Sequence, residues 1–212
     1  MTDSEQLRSA GVQLIAGVDE AGRGACAGPM VIAACILPPQ LHDGWLGLTD
    51  SKKLTPKRRD TFYDLIVAEA VAWSAIVIPP EDIDTLGLQQ MNIGGMRRAV
   101  EALQPAPEHV LTDAWQVPGL TMPMTNIIGG DAQELCIAAA SVIAKVTRDR
   151  IMVEYDSAYP GYGFAGHKGY GTAAHAQAMR TQGACAIHRM SYANVQKAQA
   201  VFEKHELRKE LA

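Results

Sequence analysis

The residues of this sequence best suited to chemistry are acidic side chains at the ends of short apolar segments: Asp19, Glu20, Asp113 and Asp131. In α/β sheets, ligand and catalytic groups gather at the ends of strands, so we expect these four carboxylates to converge. Converging carboxylates repel one another, and hard divalent cations such as Mg²⁺ and Mn²⁺ prefer oxygen ligands of this kind. The sequence therefore predicts a divalent-metal site, and a pair of ions would suit hydrolysis of a phosphodiester bond.

Each aspartate also has a simpler interpretation as a turn former or a helix cap, which stays open for any one of them taken alone. Asp19 and Glu20 raise a further question, because neighbours on a regular strand point to opposite faces. Both could reach one pair of ions only if the strand were interrupted. We expect Gly22 to permit a bulge or an early exit of the strand that re-aims Glu20.

The elements that must position these acids follow from hydrophobic periodicity. Residues 14–19 and 29–37 are apolar runs on either side of the glycine-rich turn 22–28, which predicts a β-hairpin. Further strands are expected at residues 71–78, 110–113 and 124–128, and helices at 55–70, 81–86, 89–103, 132–159 and 191–212. The glycine and aromatic segment 161–171 is interpreted as a loop. This order predicts the α/β class, with a mixed sheet flanked by helices and a C-terminal helical segment.

Length and composition limit the organisation of the chain. With 212 residues and 48% hydrophobic content, we expect one domain over residues 1–212, with a core of about residues 14–190 and a helical tail at 191–212. No apolar run is long enough to span a bilayer, and the first ten residues are too polar for a secretory signal. We therefore expect a cytoplasmic protein. Nothing in the sequence requires an oligomer or an obligate protein partner, so a monomer is expected. The four cysteines lack metal-ligand spacing and are interpreted as free buried thiols.

The charge pattern restricts how nucleic acid could be bound. A formal net charge of −4 argues against a surface that attracts phosphates everywhere. Local basic groups remain, one formed by Lys52, Lys53, Lys57, Arg58 and Arg59 and a second formed by Lys145, Arg148 and Arg150. Such groups usually form a solvated face, and they indicate a nucleic-acid surface only beside a catalytic site.

Four sequence motifs occur in a fixed order: GVDEAGRG from Gly17, TDSKKL from Thr49, AAASVIAKVTRD from Ala138 and HKGYGT from His167. Together they resemble the bacterial-type ribonuclease HII family, and the resemblance extends from about Gly17 to Val195. It implies the ribonuclease H-like fold. It also implies an endonuclease that hydrolyses the RNA strand of RNA·DNA hybrids and incises duplex DNA on the 5′ side of embedded ribonucleotides, in ribonucleotide removal and DNA replication or repair. The products would carry 5′-phosphate and 3′-hydroxyl ends.

The same resemblance assigns roles to the acids. Asp19, Glu20 and Asp113 would be the principal ligands of Mn²⁺ or Mg²⁺, with two ions bound in the presence of substrate. Asp131 would complete the set by positioning the second ion or the attacking water.

Substrate contacts are implied for Gly22, Arg23, Gly24, Tyr170 and a set of lysines, namely Lys52, Lys53 and Lys145. Glycines let the main chain approach a 2′-hydroxyl, the group that distinguishes RNA from DNA, and Arg23 would bind a nearby phosphate. Tyr170 would pack on the sugar that follows the ribonucleotide, although an aromatic residue in such a loop is more often a core residue. The lysines would contact phosphates without reading sequence.

Some positions depart from the family pattern. Ala114 and Trp115 follow Asp113 where the family more often has glycine, and Met190 and Asn194 also differ from the common residues. Three histidines in loops and helix ends are interpreted as hydrogen-bonded or phosphate-facing rather than metal-binding: His167, His175 and His188. Two other functions stay open, namely another two-metal nuclease or strand transferase of the same fold, and a catalytically silent domain that binds hybrids.

Overall fold

Five β-strands and eight α-helices make up the regular structure of residues 1–211, which a computed structural model describes. The strands are β1 (Ile15–Ala21), β2 (Met30–Ile36), β3 (Ala72–Ile78), β4 (His109–Asp113) and β5 (Met124–Ile127). The helices are α1 (Asp3–Ser9), α2 (Pro56–Glu69), α3 (Pro80–Leu86), α4 (Leu88–Glu101), α5 (Leu135–Ala158), α6 (Phe164–His167), α7 (Ala173–Gln182) and α8 (Ala193–Glu210). Within the described chain, no helix has the length and apolar character needed to cross a membrane.

The strands form one sheet in the order β3-β2-β1-β4-β5. Strand β1 pairs antiparallel with β2 and parallel with β4, and β4 pairs parallel with β5. The mixed sheet expected from the sequence is therefore confirmed. Because β1, β4 and β5 run in the same direction, their C-terminal ends lie at one edge of the sheet.

The sequence-based elements agree with the structure, with three exceptions. The hairpin, all five strands and the helices expected at residues 55–70, 81–86, 89–103 and 132–159 are present, with bounds shifted by a few residues. The expected C-terminal helix is α8, and Ala212, the last residue of the expected tail, lies outside the described residues. Helices α1 and α7 were not predicted, and α6 lies inside the segment interpreted as a loop. Helix α1 had a readable signal, because Thr2 and Glu5 form a capping box.

Close packing of β1 against α5 depends on Gly17. A Cβ atom added at Gly17 would lie 2.1 Å from the carbonyl carbon of Cys136, so any larger residue would displace one of the two elements. Ile137 and Val142, which follow on α5, are fully buried. The first glycine of the GVDEAGRG motif is therefore required for the packing of the strand that carries Asp19.

Contacts divide the described chain into two compact units. The first comprises Met1–Ala21, Val31–Val77 and Gln89–Thr147, and the second comprises Gly22–Met30, Ile78–Leu88 and the chain from Arg148 onward. The second unit has a core of its own, formed by Cys26, Ala27, Met152, Tyr162, Phe164, Met179, Ile187, Val195 and Ala198. A single domain over residues 1–212 stays a prediction.

The cysteines are free thiols, as expected. Cys26, Cys35 and Cys136 are buried, and burial raises the pKa of the Cys136 thiol to about 12. Cys185 differs from the expectation, because it is only partly buried. Its thiol lies 3.2 Å from Nδ1 of His188.

Candidate metal centre and substrate-binding loop

Three of the four predicted carboxylates converge in the first unit. Asp19 lies on β1, Asp113 is the last residue of β4, and Asp131 lies in a 3-10 turn, Gly130–Ala132, that follows β5. One carboxylate oxygen from each of the three lies within 4.8 Å of the other two. The convergence predicted for these residues is confirmed, and its cause is the common edge at which the parallel strands end.

Main-chain N–H groups hold two of these carboxylates in place. The N–H of Gly130 donates to Oδ1 of Asp113 at 2.9 Å, which ties the end of β4 to the turn that carries Asp131. The N–H of Glu20 donates to Oδ1 of Asp19 at 2.7 Å. Each of these two carboxylates therefore has a second oxygen that can be directed at a cation.

The electrostatics of the cluster disfavour three separate negative charges. Burial, followed by the neighbouring charge of Glu20, raises the pKa of Asp19 well above its usual value. Burial, followed by the charges of Asp50 and Asp113, raises the pKa of Asp131. A divalent cation would relieve both effects, and an all-oxygen set of carboxylates fits Mg²⁺ or Mn²⁺ rather than zinc.

Lys52 already supplies positive charge to the cluster. Its Nζ lies 3.8 Å from Oδ2 of Asp131, and the lysine side chain is 73% exposed. Burial by itself would lower the pKa of Lys52, but the nearby carboxylates, chiefly Asp19 and Asp50, outweigh that effect and raise it. Lys53 is exposed on the same turn, and its N–H donates to the carbonyl of Asp50 at 2.9 Å.

Asp50 acts electrostatically on this centre, and it is not among the site residues expected from the sequence. Its Oδ1 accepts a hydrogen bond from the N–H of Lys52 at 2.9 Å, and its negative charge helps to raise the pKa of Asp131. The expected site residues are acids near strand ends, whereas Asp50 lies between β2 and α2, far from the end of a strand. A signal was present, because Asp50 stands two residues before Lys52 in the TDSKKL motif.

Glu20 is not a member of the group formed by the three aspartates. The expected bulge in β1 is wrong, because pairing with β2 continues without a break from Ala16 opposite Ile36 to Ala21 opposite Val31. The strand turns away only at Gly22, where φ is +88°, one residue after the last paired position. Asp19 and Glu20 therefore keep the alternation of a regular strand.

The loop after Asp113 adopts a conformation that favours glycine. Ala114 has φ +61°, in the left-handed region, and its N–H donates to the carbonyl of Ile127 at 2.9 Å. The N–H of Trp115 then donates to the carbonyl of Asp113 at 2.8 Å. This backbone explains physically why glycine would suit position 114.

In the second unit, Gly22 and Gly24 have different reasons to be glycine. A Cβ at Gly22 would lie 1.9 Å from Nε of Arg148, and φ there is positive, so a side chain is excluded by both packing and conformation. Gly24 is exposed, and a Cβ there would meet no atom within 4 Å. Packing does not require glycine at position 24, so its bare backbone remains open to close approach by a ligand.

Tyr170 lies against the same loop. The N–H groups of Cys26 and Ala27 both donate to the carbonyl of Gly169, at 2.9 and 3.2 Å. The guanidinium of Arg148 lies 5.2 Å from the centroid of the Tyr170 ring, which is partly exposed rather than a core residue. The structure thus brings Tyr170 and the Gly22–Gly24 segment together around Arg148.

The members of the second basic group differ in burial. Arg148 is fully buried, with Nε donating to the carbonyl of Pro29 at 2.8 Å and Nη2 donating to that of Ala27 at 3.1 Å. Lys145 is partly buried and Arg150 is exposed. The interpretation of this group as a solvated face is therefore wrong for Arg148, because main-chain carbonyls replace water around its guanidinium.

The three histidines form a hydrogen-bonded cluster, as interpreted from the sequence. Nε2 of His175 lies 3.0 Å from Nε2 of His188, and the rings of His167 and His175 stack with centroids 4.4 Å apart. Burial, followed by the neighbouring charge of His175, lowers the pKa of His188 to about 4. His188 is therefore a neutral hydrogen-bonding group at neutral pH.

The fold is shared with solved ribonuclease H structures. The ribonuclease H2 of Pyrococcus horikoshii OT3 superposes with a TM-score of 0.76 and 24% identity, covering 90% of this chain and 99% of that one. A structure of Bst-RNase HIII in complex with Mn²⁺ gives a TM-score of 0.68 and 20% identity, covering 91% of this chain and 71% of that one. The protein therefore has the ribonuclease H-like α/β fold.

Sequence comparison defines the family. The family model for ribonuclease HII matches residues 16–195. Ribonuclease HII of Corynebacterium glutamicum is 57% identical over 188 residues, covering 89% of this chain and 90% of the relative, and that of Nocardia farcinica is 56% identical over 185 residues, covering 87% and 74%. The chain belongs to the ribonuclease HII family. It is a ribonuclease H, a divalent-metal-dependent endonuclease acting on RNA·DNA hybrids.

Proposed function

We propose that this enzyme, besides cleaving the RNA strand of hybrids, incises duplex DNA on the 5′ side of an embedded ribonucleotide. The products would carry a 5′-phosphate and a 3′-hydroxyl, and the role would be removal of ribonucleotides during DNA replication and repair. The supporting observation is the group of Asp19, Asp113 and Asp131, two of them buried and Asp113 partly buried, with oxygens within 4.8 Å of one another. A cytoplasmic location and a monomeric state stay predictions.

The metal would be held by Asp19, Glu20 and Asp113, with Asp131 completing the set. Support comes from Asp19, Asp113 and Asp131, whose oxygens lie within 4.8 Å of one another, whereas Glu20 would have to reach the metal from a strand that keeps its regular alternation. Two ions of Mg²⁺ or Mn²⁺, when bound with substrate, would lower the pKa of the attacking water and neutralise charge on the departing oxygen.

The remaining groups of the centre would position the substrate. Lys52 lies beside Asp131 with its ammonium exposed, so it can contact a phosphate near the scissile bond while it orients Asp131. Lys53 and Lys145 would contact phosphates farther along the strand, and such contacts hold the duplex without reading its sequence.

Recognition of the ribonucleotide would belong to the second unit. The backbone at Gly22 and Gly24 would read the 2′-hydroxyl, and Arg23 would bind an adjacent phosphate with its guanidinium. The ring of Tyr170 would pack on the deoxyribose that follows. Support comes from the exposed backbone at Gly24 and from the partly exposed Tyr170 ring, which lies over Arg148.

The decisive experiment uses three duplexes of one sequence: all DNA, DNA with a single ribonucleotide, and an RNA·DNA hybrid. Each is incubated with and without Mg²⁺ or Mn²⁺, using wild type, Asp113→Asn and the exposed control Asp64→Asn. We expect incision on the 5′ side of the ribonucleotide only when metal is present. Asp113→Asn should lose this activity, whereas Asp64→Asn should keep it. Equal cleavage of all-DNA duplex would instead indicate another two-metal nuclease, and hybrid binding without product would indicate a silent domain.

Tyr170 is tested by two substitutions. Tyr170→Ala should reduce turnover of the single-ribonucleotide duplex more than that of the long hybrid, because packing on the following sugar matters most at the junction. Tyr170→Phe should keep most of the activity, since it keeps the ring. Equal losses on both substrates, or a Phe variant as poor as the Ala variant, would refute the junction-reading role.

A further inference from the structure

Arg189 forms a buried hydrogen-bonded centre behind the substrate-binding loop. Its side chain is fully buried, and Nη2 donates to the carbonyl of Gly22 at 2.8 Å while Nη1 donates to that of Arg23 at 2.8 Å. Nε and Nη2 both donate to the carbonyl of Gly28, at 3.2 and 3.0 Å. Nη1 also donates to the hydroxyl of Tyr192 at 3.0 Å, and that hydroxyl donates to the carbonyl of Arg23 at 2.9 Å.

These contacts hold both ends of the loop with one planar group. The guanidinium reaches carbonyls at positions 22, 23 and 28, which is possible because its donors are spread over three nitrogen atoms in a rigid fork. The acceptors are main-chain carbonyls and a phenol rather than a carboxylate. Burying a cation among neutral acceptors is costly, so the arrangement is better explained by control of the loop than by stability.

The direction of the bound carbonyls fixes the direction of the opposite N–H groups. A trans peptide is planar, with its C=O and its N–H pointing opposite ways, and the cis bond found in the described chain is Gln104–Pro105. The carbonyls of Gly22 and Arg23 point to the guanidinium, so the N–H groups of Arg23 and Gly24 point away from it. Gly24 is exposed, with open space around its Cα.

We propose that Arg189, together with Tyr192, is a positioning residue that presents these N–H donors to the 2′-hydroxyl of the ribonucleotide. This inference rests on the proposed function of the Gly22–Gly24 segment and deepens it. Arg189 does not touch the substrate. It sets which side of the loop carries donors, and a donor array of fixed direction is what distinguishes a ribose from a deoxyribose at one position.

The main chain around Arg189 is anchored independently of its side chain. The N–H of Arg189 donates to the carbonyl of Cys26 at 2.8 Å, and the N–H of Gly28 donates to that of Ile187 at 2.8 Å. Ala27 and His188 form an antiparallel bridge. A substitution confined to the side chain should therefore leave this pairing in place while it releases the carbonyls of Gly22 and Arg23.

The test compares two duplexes that differ only in one 2′-hydroxyl, with binding measured by fluorescence anisotropy in EDTA. The ratio of the two affinities reports recognition of the hydroxyl without any contribution from cleavage. Arg189→Lys keeps the charge but loses the fork, so the ratio should fall at least about fivefold, as expected for loss of one hydrogen bond. Affinity for the all-DNA duplex and its salt dependence should stay unchanged.

Tyr192→Phe is a milder variant, because it keeps the aromatic ring whose centroid lies 5.4 Å from Cζ of Arg189. It should lower the ratio by about twofold to fivefold, since one hydroxyl is removed. The matched control is Tyr162→Phe, which removes a hydrogen bond of 2.9 Å to the carbonyl of Gly183 in the same unit. The control should not change the ratio.

The outcomes separate this inference from the proposed function. If wild type incises the single-ribonucleotide duplex but folded Arg189→Lys keeps the wild-type affinity ratio, the positioning role is wrong and the function stands. If Arg189→Lys does not fold by circular dichroism, an unchanged ratio in Tyr192→Phe overturns the role equally. If Arg189→Lys weakens binding of both duplexes alike, Arg189 supports only the fold of the second unit and the positioning role is wrong. Should wild type neither incise nor distinguish the two duplexes, both proposals fail.

Discussion

Replacing Ala114 with glycine should stabilise the protein, although it shortens a side chain next to the metal centre. Ala114 has φ +61°, and an L-residue in the left-handed region is disfavoured by roughly 1–2 kcal/mol. Glycine avoids that strain but loses about 0.4–1 kcal/mol through the greater freedom of the unfolded chain. Ala114 is exposed, so little burial is lost. The difference predicts a gain of roughly 0.5–1 kcal/mol for Ala114→Gly.

The measurement is urea denaturation, in which the midpoint should rise while the slope stays constant. For a chain of this length the gain corresponds to an increase of about 1–4 °C in Tm. Cleavage should stay close to wild type, because the hydrogen bond from Gly130 to Asp113 is untouched.

Ala200→Gly is the matched control. Ala200 is exposed in the interior of helix α8, where glycine should lower stability by about 1 kcal/mol. If Ala114→Gly destabilised the protein as Ala200→Gly does, the loop would not carry backbone strain at position 114 and the reasoning would be refuted.

Three further outcomes follow from the charges. Asp19→Asn should reduce metal-dependent cleavage roughly a thousandfold and raise stability in EDTA at neutral pH. Burial raises the pKa of Asp19, so its carboxylate destabilises the fold only at pH values above the pKa of this group in the unfolded chain. The stabilities of wild type and Asp19→Asn should therefore become equal in acid. The pKa of His188 is lowered from 6.5 to about 4, so up to about 3 kcal/mol of stability should be lost as pH falls through that window. If the stability of a His188→Gln variant fell as steeply with pH as that of wild type, His188 would be excluded as the cause. Lys52→Ala and Lys53→Ala should each lower the slope of log affinity for the hybrid against log salt concentration by about one unit. An unchanged slope would indicate that these lysines belong only to a solvated face.

Much of the fold was readable from the chain itself. Strands such as β1 and β4 are short apolar runs bounded by turn residues, and the long helix α5 has helical periodicity. The metal chemistry was readable from residue type and position, since Asp19 lies near the end of β1, Asp113 ends β4 and Asp131 follows β5. Local periodicity and residue type are properties of the sequence, so the strands, α5 and the convergence of these three aspartates could be predicted, while their roles as metal ligands stay predictions.

Other features depend on contacts between distant parts of the chain. The unbroken pairing of β1 with β2 decides that Glu20 stays outside the aspartate group, and the tertiary structure brings Asp50 close enough for its charge to raise the pKa of Asp131. Arg148 and Arg189 appear in the sequence as ordinary charged residues, yet both are fully buried. Apart from the hydroxyl of Tyr192, their acceptors are main-chain carbonyls, which every residue carries, so no pattern of side chains marks them. Only the tertiary structure decides which carbonyls a buried guanidinium reaches.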